Sequence, residues 1–133
     1  MRKQFALAVF ISLISLGNLF GDDTGVTDPV QNPNVAFRLF RTANFYTFLK
    51  LDTRSGRIWQ VQFDVQGNNR FTVVLNILPL SNVSKSAEGR FTLYPTANMY
   101  NFILVDQTDG RTWQVQWSQD ADNRGIIPIL GAE

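Results

Sequence analysis

From residue 36 onward, short apolar and aromatic runs alternate with polar turn residues, and within each run the apolar positions recur every second residue. That spacing predicts strands, because a helix would repeat its apolar positions every 3.6 residues. Four strands are expected over residues 36–41, 45–52, 57–64 and 70–76, and four more over 90–95, 99–106, 111–118 and 125–130. No segment has the length and stripe of an amphipathic helix.

The second set of strands repeats the first. Residues 37–70 align without a gap on residues 91–124, 54 positions downstream, and 16 of the 34 aligned positions are identical. A duplication this clear makes the supersecondary unit the proper object of analysis. Each copy contains a Thr-Ala-Asn corner (Thr42 to Asn44, Thr96 to Asn98) and a loop that starts at Asp52 or Asp106 and ends at Gly56 or Gly110. An aspartate caps such a turn through backbone N–H groups two residues on, and glycine accepts the positive φ at its end. The loop places Asp52 opposite Arg57 and Asp106 opposite Arg111, which fixes the faces of the hairpin. One face then holds Tyr46, Phe48, Lys50, Trp59, Val61 and Phe63; the other holds Thr47, Leu49, Leu51, Ile58, Gln60 and Gln62. The aromatic face is the expected core in both copies, with Lys50 near its edge.

The expected fold is therefore all-β and antiparallel: two pseudo-symmetric four-stranded repeats (36–76 and 90–130) packed about a two-fold axis as a sandwich or flattened barrel, in one domain over 36–133. The alternative is a pair of propeller-like blades, which cannot close a ring without further chains.

The stretch Leu51-Asp52-Thr53-Arg54-Ser55-Gly56-Arg57-Ile58-Trp59 resembles the hairpin of quinoprotein-type (PQQ-like) propeller repeats. The resemblance covers about nine residues per copy, implies a blade-like hairpin, and brings no cofactor site with it. Over nearly the whole repeat region, the tandem Thr-Ala-Asn to Trp-Gln-Val-Gln pattern is similar to small, exported, uncharacterised bacterial repeat proteins, which implies export and no particular activity.

The first 21 residues read as a secretory signal: Arg2 and Lys3, a mostly apolar run over residues 5–16, then Gly17 and Gly21. The run is shorter than the roughly 20 apolar residues needed to span a bilayer. Residues 22–35, with Pro29 and Pro33, read as a flexible leader. The expected location is periplasmic or extracellular. Downstream of residue 21 the formal charge is −1, with scattered basic residues, so nucleic acid is an unexpected partner. Cys and His are both absent, which excludes disulfides, thiol nucleophiles, Ser-His-Asp triads and His-based zinc sites.

Catalysis would have to rest on carboxylates. Asp52 and Asp106 could be weighed as a glycosidase pair, but their shared place at a turn start is explained structurally. Asp120-Ala121-Asp122-Asn123 has the look of a calcium loop without its glycine or its distal glutamate, and reads as a polar hairpin tip. Asn82-Val83-Ser84 matches a glycosylation acceptor that a bacterial chain would not use. No catalytic, metal or cofactor site is expected. The candidate ligand-binding residues are Arg57, Trp59, Gln60 and Gln62 with their counterparts Arg111, Trp113, Gln114 and Gln116: indole platforms beside amides and guanidinium groups suit sugars or a protein hot spot. The expectation is a non-catalytic exported binding module for a glycan or protein, with an oligomer-forming envelope protein or an inhibitor or immunity-type protein as alternatives.

Overall fold

The structure, a computed structural model, describes residues 28–131. The signal expected over residues 1–21 lies outside the described residues. Eight strands follow in chain order: β1 (Phe37–Arg41), β2 (Thr47–Asp52), β3 (Ile58–Gln62), β4 (Phe71–Val74), β5 (Phe91–Pro95), β6 (Asn101–Asp106), β7 (Thr112–Gln116) and β8 (Gly125–Ile129). They form two antiparallel four-stranded meanders, β1-β2-β3-β4 and β5-β6-β7-β8. The sheets are separate, so the fold is all-β with one sheet per repeat and no closed barrel.

The hairpin register is the expected one. Lys50 pairs with Trp59 and Leu51 with Ile58, while Leu104 pairs with Trp113 and Val105 with Thr112. Asp52 Oδ1 accepts the N–H of Arg54, Asp106 Oδ1 accepts that of Thr108, and the closing glycines have φ of 75° (Gly56) and 79° (Gly110). The Thr-Ala-Asn corners also match. Thr42 Oγ1 donates to the carbonyl of Thr47 and Asn44 Oδ1 accepts the N–H of Tyr46; Thr96 and Asn98 do the same for Asn101 and Tyr100.

The choice of core face differs from expectation in the first repeat. There Leu49, Leu51, Ile58, Thr47 and Gln60 are buried, and the aromatic face is left outside. In the second repeat the aromatic face is the core, with Phe91, Leu93, Phe102, Leu104, Trp113, Val115 and Trp117 buried. The two sets form a single apolar cluster. Unlike faces therefore meet, whereas a two-fold axis would bury the same face of each copy. The sheets are stacked in one direction, like successive blades, and the expected two-fold relation is replaced by this stacking. The physical reason lies in one position. Lys50 sits at the centre of the first aromatic face where the second repeat has Leu104, and a buried ammonium without a partner is far costlier than a buried Gln whose carbonyl is bonded.

The joint between sheets is also tied by hydrogen bonds. The N–H of Phe91 donates to the carbonyl of Thr53, the N–H of Gly89 to Thr53 Oγ1, the N–H of Ser118 to Gln60 Oε1, and Arg38 Nη1 to Thr92 Oγ1. Thr53 is fully buried and also donates its N–H to the carbonyl of Ala36, so one loop residue joins the starts of β1 and β5. Asn76, after β4, accepts the N–H of Ile58 at 2.7 Å and donates to the carbonyl of Gly56, which anchors the connection between repeats. At the other end of the first repeat, Gln31 donates to the carbonyl of Leu39 and accepts from Arg38 Nε.

Candidate functional site

Because the first repeat buries its amide face, its aromatic face is open. Alternation along β1, β2 and β3 puts Phe37, Leu39, Phe48, Lys50, Trp59 and Val61 on it, and Phe45, Tyr46 and Phe63 extend it beyond the strand ends. Phe45 is 71% exposed and Phe37 49%. The rings form two groups. Phe45 lies edge-on to Tyr46 at 4.9 Å, and both contact Phe63, at 5.7 and 5.5 Å. Phe63 reaches Phe48 at 6.4 Å. At the other end Phe37 and Trp59 pack at 6.2 Å.

Cations are threaded through the second group. Lys50 Nζ lies 4.8 Å from the Trp59 ring and 5.9 Å from Phe37, the Arg57 guanidinium lies 5.3 Å from Trp59, and that of Arg54 lies 5.5 Å from Phe37. Such contacts stabilise by about 0.5–1 kcal/mol at exposed positions. Arg57 was expected opposite Asp52; the register holds, but the ion pair forms instead between Asp52 and Arg54 at 3.1 Å. That leaves Arg57 stacked on Trp59. In the second repeat Asp106, fully buried, takes Arg90 at 2.8 Å and Arg111 at 3.2 Å. Burial pushes the Asp106 carboxyl up, but the Arg90 hydrogen bonds and the N–H of Thr108 outweigh it, and the carboxyl sits below its ordinary range. Both turn aspartates are thus committed to structure.

The eight sequence-predicted residues do not form one site. Arg57 and Trp59 meet on the open aromatic face. Gln60 is fully buried in the joint between sheets, and Gln62 is half-buried beside it on the same strand. Trp113, 5% exposed, packs against Phe91 in the core, with Arg111 over its ring at 5.1 Å. Gln114 and Gln116 lie on the open amide face of the second repeat, where Gln114 Nε2 donates to Asn101 Oδ1 at 2.7 Å and Gln116 Nε2 to the carbonyl of Asn123 at 2.8 Å. A shallow groove of about 380 Å³ there is lined by Gln114, Gln116, Asp122, Asn123 and Ile127. The Asp120–Asn123 segment is a 3-10 turn capped by Asp120, whose carboxylate accepts the N–H of Asp122.

Residues the sequence reasoning left out of the site are Phe37, Phe45, Tyr46, Lys50 and Phe63. The strand alternation places Tyr46, Lys50 and Phe63 on the face expected to be the core, and it gives Phe37 and Phe45 no role. The lysine was the available signal that this face is not the core: it stands where a core face would have the leucine of the other copy. Of the seven buried aromatic-face residues of the second repeat, five recur unchanged at the open positions of the first (Phe37, Leu39, Phe48, Trp59 and Val61), and the other two are Lys50 and Phe63. No family model matches the chain, and no match to it is found among curated proteins or solved structures.

Proposed function

We propose that this chain is a non-catalytic exported module that binds a protein partner across the open aromatic face of its first repeat. One observation carries the reading: a set of side chains of core composition stands uncovered, ordered by ring stacking and cation contacts. Contiguous exposed apolar surface of this kind marks interaction sites, and Trp, Tyr and Arg are the residues that dominate interface energetics. Aromatic rings beside the guanidinium groups of Arg54 and Arg57 match the composition of protein interfaces. The absence of His and Cys from the sequence, and the engagement of the turn carboxylates by arginines, support a role without catalysis. Export rests on the sequence of residues 1–21.

A photo-crosslinking amino acid at Phe45 in the producing cell tests the reading. Adducts of discrete mass are expected, lost on adding Trp59→Ala, and the same probe at Thr108 gives none. Absence of adducts from Phe45, or adducts indifferent to Trp59, would refute it. A glycan reading is favoured by a separate feature, the amide-lined groove at Gln114 and Gln116; glycan-array binding lost with Gln116→Ala would support that instead.

A further inference from the structure

We infer that the partner of the open aromatic face is a second copy of this chain, docked head to tail through the open amide face of its second repeat. This rests on the reading above and names its partner. Within one molecule, the joint between sheets brings an amide face against an aromatic face. Among the described residues, nothing covers the aromatic face of the first repeat or the amide face of the second. These are the two halves of the joint the chain already makes internally, carried by its own repeat equivalents.

The halves correspond position by position. Leu49 and Leu51, buried in the joint, have as counterparts Ile103 and Val105, half-buried on the open amide face. Gln60, which accepts the N–H of Ser118 across the joint, corresponds to the exposed Gln114. Ser118 corresponds to Asp64, so docking in the same manner brings Gln114 to the backbone N–H of Asp64 in the next copy. Two sets of residues related by duplication thus present the same complementarity, one pair satisfied inside the chain and one pair not.

The differences between the pairs have a consistent direction. On the aromatic side Lys50 stands where the internal joint has Leu104, on the amide side Thr112 stands where it has Ile58, and at both changes the uncovered half is the more polar. An internal joint is permanent and can be wholly apolar. A joint between molecules must leave each half soluble before it meets its partner, so the external joint is weaker and reversible. Because unlike faces meet, association is heterologous. It closes into a ring if the rotation per sheet allows, and otherwise extends. Propellers close with about four to eight sheets, which corresponds to about two to four copies of a two-sheet chain.

Light scattering and sedimentation on the chain expressed with its own N-terminus, from micromolar to submillimolar concentration, provide the test. The wild type is expected to exceed monomer mass. Trp59→Arg blocks the aromatic face and Ile103→Arg the amide face, and each variant alone is expected to be monomeric. An equimolar mixture then leaves one intact aromatic face and one intact amide face, so it forms a one-to-one heterodimer and nothing larger. Lys50→Glu and Gln114→Lys serve as the pair if circular dichroism shows either arginine variant to be unfolded. A wild type that stays monomeric throughout overturns the inference, as does a mixture that yields no heterodimer, or assembly that persists in both variants. In the first case, Phe45 adducts to another protein that still depend on Trp59 leave the functional reading intact, so the two failures are distinguishable.

Discussion

At the scale of single residues, three tryptophans occupy three different environments, and their substitution separates folding from surface. Trp117 is fully buried, with its Nε1 donating to the carbonyl of Met99 at 2.8 Å, and Trp113 is nearly as buried; Trp59 is half-buried on the open face. Trp113→Ala is expected to cost about 3–5 kcal/mol, as for large core aromatics. Trp59→Ala should cost less than that, since its ring is only partly covered on the open face. Urea unfolding of the two variants measures this, and equal losses would contradict the placement of the faces. Asp106 gives a second residue-level expectation. Its folded-state pKa is depressed, so the stability it contributes is fully present above the ordinary carboxylate range and is lost as pH falls through the folded value. Thermal melts should therefore show a steep loss of stability below about pH 4, the ordinary aspartate range. Asp106→Asn should flatten that loss while lowering stability at neutral pH.

Among elements, the two β-turns that close β2-β3 and β6-β7 share a sequence plan but not an environment. Gly56 and Gly110 both need positive φ, so a Cβ at either strains the backbone by about 1–2 kcal/mol. A Cβ on Gly110 meets nothing within 4 Å, whereas one on Gly56 would lie 2.9 Å from Phe91 Cε1 and 3.0 Å from Leu80 Cδ1. Gly110→Ala is expected to cost only the strain; Gly56→Ala adds overpacking of about 1–3 kcal/mol. A melting-temperature comparison checks this, and equal shifts would argue against the packing of the first turn under β5. These local devices were legible without coordinates, because aspartate, glycine and the Thr-Ala-Asn corner act on backbone groups a few residues away. Strand positions and the hairpin register follow from them. Which face turns inward is not a local property. It depends on what the neighbouring sheet offers, and both faces of the first hairpin carry enough apolar surface to be a core.

For the molecule as a whole, the duplication led to two four-stranded sheets, which the structure has, and to a symmetric pairing, which it does not. Sequence identity between repeats constrains how each copy folds; it does not choose between facing and stacking. The position that decides is Lys50, whose counterpart Leu104 is fully buried. Of the eight predicted ligand-binding residues, Arg57 and Trp59 come together, Gln114 and Gln116 share a different surface, and the remaining four are engaged in folding or its edges. The split follows from the stacking where the strands are central: Trp113 and Gln60 are covered, while their equivalents Trp59 and Gln114 are not, because equivalent faces of the two repeats lie on opposite sides with respect to the common core.

The loop at Thr53 draws the start of β5 onto the first sheet through the N–H groups of Gly89 and Phe91. Its counterpart in the second copy, Gln107, also donates its N–H to the residue ahead of its own first strand, at the carbonyl of Arg90, but spends its side chain on the carbonyl of Gly89. The hold on β5 therefore comes in part from a hydroxyl that the two copies do not share, and the joint is fastened from one side.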